Sequence, residues 1–287
     1  MQQRGIAVKL TIKELKELKN KRKITMASCF GYYEAKAMEE ANIDVLGCAE
    51  GLLNILVKGD LNETEFSIED SILSLRGVRR GAPNTLIYTV PPVGYHFLDI
   101  DDTLRMAARL MAAGSDIIRI QGNGVHIDKI KKLTMEGIPT AGHLGLMPEF
   151  TTWTGGFKCQ GKKADEAIKI YEDILRVQDA GGVWVELECV PWKIAEEITK
   201  RVEILIIGIG SGPGCDGEVQ VHLDTLGIHD GHYPKHSKIY YNYYKDIIKI
   251  YKKYREEVIS NQFPSKNNSF EIEESEFEKF LNKIDKK

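Results

Sequence analysis

The chain alternates repeatedly between short apolar runs and longer amphipathic segments, and this alternation limits the possible folds more than any other feature of the sequence. Near-continuous apolar runs occupy residues 23–28, 41–48, 84–90, 112–120, 136–143, 179–188 and 202–210. Helical periodicity fills the segments around 32–41, 67–80, 101–113, 126–136, 163–179 and 192–201. Runs that are apolar almost throughout predict strands buried on both faces, as in a parallel sheet with helical crossovers.

A closed (β/α)8 barrel fits this order better than an open doubly wound sheet. An eighth strand near 219–223 would complete the barrel, whereas SCFGYYEAK follows the first strand in place of the glycine-rich phosphate turn that doubly wound sheets normally carry. We therefore predict an α/β fold with a (β/α)8 barrel in residues 1–260, including an N-terminal helix within 11–22. Residues 261–287 are predicted to form a charged, helical tail.

Charge and hydropathy exclude several classes of partner. The 287 residues carry 39 Lys plus Arg against 42 Asp plus Glu, a formal net charge of -3. This balance gives no long-range attraction to nucleic acid or to an anionic membrane surface. No stretch approaches the roughly 18 uninterrupted apolar residues of a membrane span, and the first residues lack the apolar segment of a secretory signal. We expect a cytoplasmic protein that acts on a small molecule, with no nucleic-acid or membrane partner.

The predicted sixth strand carries two carboxylates on one face. In GGVWVELECVP, period-two alternation places Val185 and Leu187 on one face, and Glu186 and Glu188 on the other, which we expect to point into the barrel. A buried carboxylate costs several kcal/mol unless it is paired. Each glutamate is therefore either a catalytic group or half of a buried ion pair, and the sequence leaves both interpretations open.

Two other polar residues fall at predicted strand ends, where a barrel gathers its reactive groups. Arg119 interrupts the apolar strand DIIRIQG, and its permanent charge requires a carboxylate, either from a substrate or from Glu186 or Glu188. His143 in AGHLGL is either a catalytic group or a structural histidine with satisfied hydrogen bonds.

Motifs spread along the chain resemble those of the 3-methyl-2-oxobutanoate (ketopantoate) hydroxymethyltransferase family, and they occur in the same order. They are RRGAPN (79–84), AGHLGLMPE (141–149), GGFKCQGK (155–162), LECVP (187–191), IIGIGSG (206–212) with CDG (215–217), and GHYPK (231–235). The resemblance covers residues 11–255 and implies a (β/α)8 barrel of the phosphoenolpyruvate mutase and isocitrate lyase superfamily. It also implies a homo-oligomer, which is a decamer in many members.

The resemblance further implies a reaction. Members transfer a hydroxymethyl group from methylenetetrahydrofolate to 2-oxoisovalerate and so make ketopantoate for pantothenate biosynthesis. In the family, a Mg²⁺ ion chelated by the 2-oxo acid eases formation of an enolate, which attacks formaldehyde or the folate-bound one-carbon unit. Glu188 matches the family's catalytic carboxylate, and His143 matches the active-site histidine of the GHLGL motif.

Several positions depart from the family's pattern around its metal site. Counted without a gap, Glu50 falls on the first metal-ligand Asp, and Gly51 replaces the serine beside it. Thr89 in YTVPPVGY stands where the second Asp ligand occurs. In IRIQG, Arg119 replaces a Lys and Gln121 replaces a Glu.

These replacements leave one carboxylate of three, so we expect Mg²⁺ to bind weakly, with Glu50 as its remaining candidate ligand. Arg119 would instead contact the substrate carboxylate and stabilise the enolate, beside Glu188 and His143 as catalytic groups. The predicted substrate-binding residues are Glu50, Gly51, Thr89 and Gln121.

Three functions follow from this pattern. The first is a hydroxymethyltransferase that forms a carbon–carbon bond next to the carbonyl of a small 2-oxo acid, with Glu188 as base. The second is a metal-independent relative that catalyses an aldol, lyase or isomerase reaction on a different 2-oxo acid. The third is a non-catalytic barrel that binds a metabolite, although retention of Arg119, His143 and Glu188 argues against it.

Overall fold

Parallel strands close into a barrel in the computed structural model of the chain, which describes residues 9–49 and 67–286. Each strand pairs with the next along the chain, and the last strand pairs with the first. The strands are β1 (Ile24–Ser28), β2 (Val45–Ala49), β3 (Leu86–Val90), β4 (Ile117–Gln121), β5 (Thr140–Gly145), β6 (Trp184–Glu188), β7 (Leu205–Ile209) and β8 (Gly217–Gln220). The predicted eight-stranded parallel barrel is confirmed.

Helices connect most of these strands, as the periodicity predicted, and further helices precede β1 and follow β8. They are α1 (Ile12–Lys16), α2 (Tyr32–Glu40), α3 (Ile68–Gly81), α4 (Ile100–Ala113), α5 (His126–Met135), α6 (Thr151–Thr154), α7 (Ala164–Asp179), α8 (Trp192–Arg201), α9 (His222–Leu226), α10 (Tyr243–Ile259) and α11 (Glu274–Ile284). Local sequence fixes several starts: Ser67 and Asp70 form a reciprocal capping box before α3, and Asp99 caps α4. Within the described residues, no helix has both the length and the apolar character needed to cross a membrane.

The two ends of the barrel sequence differ from the prediction. The eighth strand ends at Gln220 and α9 begins at His222, so the strand starts two residues and ends three residues earlier than the predicted range of 219–223, which it overlaps at 219–220. The N-terminal helix ends at Lys16 rather than near residue 22, although Leu15 is buried as its spacing suggested.

The chain divides into two compact units. The first holds the described residues up to Thr225 together with Gly231–Ile239, and it contains the barrel. The second holds Leu226–Asp230 and the described residues from Tyr240 onward, including α10 and α11, in which no residue is buried. The boundary near residue 260 stays a prediction.

Apolar residues form two clusters in the barrel unit. One lies between the strands and the helices and includes Ile87, Ile118 and Leu187. The other fills the barrel interior, where the fully buried Trp184 packs edge-on against Tyr88, with 5.5 Å between ring centroids. Gly47 makes room for this contact, because a Cβ there would lie 2.5 Å from the Tyr88 ring. We call the second cluster the apolar floor; its strand residues include Tyr88, Ile117, Ala141, Trp184, Leu205 and Ile207.

Candidate active site

Charged and polar side chains replace the apolar floor toward the carboxyl ends of β4, β5 and β6. Alternation puts every second residue of each strand in the barrel interior. After Ile117, Ala141 and Trp184, the next interior residues along these strands are polar. We call this group the charged layer; it consists of Arg119, His143, Glu186 and Glu188. It lies at the end of the barrel where such folds carry their active sites.

Strand register sets the heights of these side chains. Gln121, His143 and Glu186 are cross-strand partners at one level, while Glu188 pairs with Gly145 one step further along. Gly145 has φ +91°, and a Cβ on it would lie 2.1 Å from the carbonyl oxygen of Glu188. Only glycine allows β6 to come this close to β5 at Glu188.

A hydrogen-bond chain links three members of the charged layer. Arg119 Nη1 lies 2.7 Å from His143 Nδ1, and His143 Nε2 lies 3.1 Å from Glu188 Oε2. Because a guanidinium can only donate, His143 Nδ1 must accept. The neutral ring then carries its proton on Nε2 and donates it to Glu188, so Arg119 fixes both the tautomer and the direction of the chain.

Arg119 also forms the buried ion pair that the sequence had left open. Its Nε lies 3.3 Å from Glu186 Oε2, and both side chains are at most 10% exposed. The predicted alternation on β6 is confirmed, since Val185 and Leu187 belong to the cluster that faces the helices. Glu186 therefore holds Arg119 through its Nε side, while Glu188 faces His143.

Burial raises the pKa of Glu188 to about 7, and the positive charges of Arg119 and His236 only partly oppose this shift. The side chain is 15% exposed, so the carboxyl group is shielded from most of the solvent without being sealed off. A carboxyl group with a pKa near neutrality can both take up and release a proton at physiological pH.

The structure does not bring Thr89 to this layer. Thr89 follows Tyr88, which belongs to the apolar floor, so alternation directs Thr89 to the same face as Ile87, toward the helices. Its hydroxyl is fully buried and donates to Ser115 Oγ at 2.9 Å. The expectation that Thr89 binds substrate came from its place in the motif, which says nothing about the direction of its side chain, and we leave it out of the proposed site.

The remaining predicted site residues are Gln121, Glu50 and Gly51. Gln121 is fully buried next to His143, and neither atom of its amide has a hydrogen-bond partner among the residues that the structure describes. Glu50 and Gly51 lie outside the described residues, so their assignment stays a prediction.

Two basic residues after the end of β4 were missed as site candidates. His126 and Lys129 lie in the first turns of α5, and both pack near His96, which follows β3. A signal was present: a histidine and a lysine three residues apart at the start of a helix share one face, and this helix starts at the active end of the barrel.

A family profile and individual relatives match nearly the whole chain, and both point to the same family. The sequence profile of the ketopantoate hydroxymethyltransferase family matches residues 9–266. A 3-methyl-2-oxobutanoate hydroxymethyltransferase of Halalkalibacterium halodurans is 37% identical over 270 residues, covering 93% of this chain and 96% of the relative. A protein of the same name from Clostridium botulinum is 35% identical over 95% of this chain and 99% of its own length.

Solved structures with low sequence identity share the fold. A phosphonopyruvate hydrolase in complex with oxalate and magnesium has a TM-score of 0.59 at 12% identity, covering 90% of this chain and 92% of its own. The phosphoenolpyruvate phosphomutase of Streptomyces platensis has a TM-score of 0.57 at 11% identity, covering 96% of both chains. These likenesses show that the chain has the same barrel fold as these proteins.

Proposed function

The chain belongs to the ketopantoate hydroxymethyltransferase family, and on that premise we propose that it transfers a hydroxymethyl group from methylenetetrahydrofolate to 2-oxoisovalerate. The product would be ketopantoate. The relatives that match nearly the whole chain are named 3-methyl-2-oxobutanoate hydroxymethyltransferases. We take the substrate class, a small 2-oxo acid, from this family membership.

One observation in the structure carries the proposal for how the reaction begins. Glu188 is a shielded carboxyl group with a pKa of about 7, and it accepts a hydrogen bond from His143 in a chain that Arg119 orients. Forming an enolate requires a base that removes a proton from the carbon next to the carbonyl. Glu188 has the basicity for this step near neutral pH, which a solvated carboxylate with a pKa near 4.3 lacks.

We assign the other steps to the residues around this base. Hydrolysis of methylenetetrahydrofolate releases tetrahydrofolate and supplies the one-carbon unit as formaldehyde. Glu188 takes the proton from the substrate carbon, and the resulting enolate carbon attacks the carbonyl carbon of formaldehyde, which forms the new carbon–carbon bond and leaves the negative charge on the formaldehyde oxygen. The protonated Glu188 then supplies a proton to the oxygen of the new hydroxymethyl group. His143 holds the Glu188 carboxylate through Nε2–H, and the guanidinium of Arg119 provides positive charge beside the developing enolate.

The donors of the charged layer fit a magnesium ion poorly. Mg²⁺ prefers carboxylate and water oxygens. Here the carboxylate of Glu186 is paired with Arg119, and that of Glu188 faces His143. Within residues 9–49 and 67–286, no group of three or more His, Cys, Asp or Glu residues is arranged to hold a metal ion. The steps proposed above therefore use no metal ion. Glu50 remains the predicted candidate ligand for Mg²⁺.

The direct test is to incubate the purified chain with 2-oxoisovalerate and methylenetetrahydrofolate, with and without Mg²⁺, and to measure ketopantoate by mass spectrometry. We expect ketopantoate from the wild type and none from Glu188→Gln. No ketopantoate from the wild type under either condition would reject the proposed activity. Binding of 2-oxoisovalerate without any turnover would favour the non-catalytic barrel.

The Arg119–Glu186 ion pair favours a second candidate, a metal-independent reaction on a different 2-oxo acid. A guanidinium inside the layer supplies the positive charge that a metal ion would otherwise provide. Elemental analysis of the protein with substrate bound tests this second candidate. One tightly held Mg²⁺ per subunit would contradict a metal-independent reaction.

Family membership also supports two broader proposals about the protein in solution. We propose that it forms a homo-oligomer, with a decamer as the expected size, and that it works in the cytoplasm. Analytical ultracentrifugation measures the first, and a monomer at micromolar concentration would contradict it.

A further inference from the structure

Three basic residues form a buried group beside the charged layer that the proposed reaction does not use. His96 lies in the short turn Val93–Phe97 after β3, and His126 and Lys129 lie in the first turns of α5. The rings of His96 and His126 are edge-on with 6.2 Å between centroids, and Lys129 Nζ donates to the carbonyl oxygen of His96 at 2.7 Å. We call these residues the His–Lys cluster.

The cluster is positively biased and sheltered from water. His96, His126 and Lys129 are 2%, 8% and 6% exposed. Burial lowers the pKa of all three, and for His96 burial together with the charges of Arg119, His126, Lys129 and His143 lowers it to about 3. Such shifts mean that the surroundings contain too little negative charge to offset the cationic forms.

Lys129 shows the imbalance most clearly. A buried ammonium group normally has a carboxylate partner, because desolvating it alone costs several kcal/mol. Within the described residues, Lys129 forms no ion pair, and its one hydrogen bond goes to a neutral carbonyl. Asp99 raises its pKa through space but forms no ion pair with it. Two of the three ammonium protons are thus left for another acceptor.

Two further buried polar groups lie at the end of β4 and the start of α5. Among residues 9–49 and 67–286, Nδ1 of His126 has no hydrogen-bond partner, and neither has either amide atom of Gln121. The first turn of α5 receives no side-chain cap from Val125, so its backbone amides add partial positive charge. A structural role for Lys129 alone, tying α5 to the turn after β3, would leave these groups unexplained.

The polarity of the surroundings indicates from which side a ligand would come. A cleft of about 540 Å³ is lined by Lys129 together with Asp99, Asp101 and Asp128. These carboxylates disfavour an anion there. On the barrel side, His96 is close enough to Arg119 and His143 for their charges to lower its pKa, so the cluster adjoins the charged layer.

We propose that the His–Lys cluster binds a carboxylate group of a substrate or co-substrate, at a distance from the reacting atoms at the charged layer. Lys129 and His126 donate to this carboxylate, and His96 packs against it. The inference rests on the proposed function for the reacting end of the ligand. Two sources share this chemistry: the second carboxylate of a dicarboxylic 2-oxo acid, or the glutamate carboxylates of the folate co-substrate.

Titration calorimetry on matched ligands separates the two sources. One pair is 2-oxoisovalerate and 2-oxoglutarate, which differ in a remote carboxylate; the other is tetrahydropteroate and tetrahydrofolate, which differ in the glutamate. Each ligand is measured on the wild type, on Lys129→Gln and His126→Gln, and on Lys131→Gln as a control. Lys131 lies on the same helix but is exposed. Thermal unfolding of each variant confirms that it is folded.

We expect one carboxylate-bearing ligand to bind the wild type about tenfold or more tightly than its matched partner, as a charge-assisted hydrogen bond would give. Lys129→Gln should remove most of this advantage, His126→Gln part of it, and Lys131→Gln none. The pair that shows the advantage identifies the source of the carboxylate.

Three results would overturn the inference: no advantage in either pair, an advantage that survives in both variants, or an equal loss of all ligands, which would make the cluster a support for the barrel. Ketopantoate formation by the same samples keeps the two proposals separate. A wild type that makes ketopantoate without a carboxylate advantage rejects the cluster alone. One that shows the advantage but makes no ketopantoate rejects the proposed reaction alone.

Discussion

The apolar floor and the charged layer are built by the same strands, two residues apart. Trp184 precedes Glu186 on β6, and Ile117 precedes Arg119 on β4, so a rise of about 7 Å along a strand separates a dry hydrophobic core from a charged pocket. Alternation explains why both layers face inward, and the direction of the strands explains why the polar one lies at the active end. Stability and chemistry are thus separated by height in the barrel.

Glu188→Gln tests the chemical half of this comparison and should have the largest effect. The amide keeps the shape of the side chain and can still accept from His143, but it cannot take a proton. We expect kcat to fall about 10³-fold, within the range for loss of a general base, while the thermal midpoint is retained. A variant with more than a tenth of the wild-type kcat would remove Glu188 from the role of base.

Trp184→Ala tests the structural half. Removing the indole leaves a cavity against Tyr88 in the apolar floor, and such truncations cost about 3–5 kcal/mol. We expect urea titration to give a free energy of unfolding that is lower by this amount. The kcat per folded molecule should fall far less than in Glu188→Gln. If Trp184→Ala instead spared the free energy of unfolding and abolished turnover, the separation of the layers would be wrong.

The pH dependence of turnover should show the raised pKa of Glu188. Burial places this pKa at about 7, so the proton leaves Glu188 as the pH rises through neutrality and the base becomes active. We expect kcat/KM to rise about tenfold between about pH 6 and about pH 8, with a midpoint near 7. A rate that is flat over this interval, with the chain folded throughout, would show that the titrating base is a different group.

Thr89→Val should have the smallest effect and marks the outer boundary of the charged layer. The substitution removes a buried hydroxyl that donates to Ser115, at a cost of about 1 kcal/mol in unfolding free energy. Because Thr89 faces the helices, turnover should stay within about twofold of the wild type; Thr89→Ser, which keeps the hydroxyl, is the matched control. A large loss of substrate affinity in Thr89→Val would instead return Thr89 to the site.

The sequence predicted most of the barrel because the pattern there is periodic. Near-continuous apolar runs predicted the strands, and the two glutamates of β6 were correctly placed inside because alternation leaves no other choice once Val185 and Leu187 face the helices. The eighth strand was placed too late, since β8 is short and leads directly into α9.

The parts of the site that sequence reasoning missed depend on side-chain direction and on long-range contacts. A motif match located Thr89 but carried no information on which face of β3 it occupies. The partner of Arg119 stayed open between two glutamates, because only the register between β4 and β6 distinguishes them. His126 and Lys129 were not singled out in the sequence, because their contacts with His96 join a helix after β4 to a turn after β3.

Hydrogen–deuterium exchange at the carbon next to the carbonyl of 2-oxoisovalerate tests most directly whether the charged layer forms an enolate. The protein is incubated with the 2-oxo acid in D₂O without any one-carbon donor, and proton NMR follows the signal of that carbon's hydrogen. We expect exchange with the wild type and with Thr89→Val, and none above the uncatalysed rate with Glu188→Gln. Exchange at the wild-type rate in Glu188→Gln would contradict the assignment of Glu188 as the base.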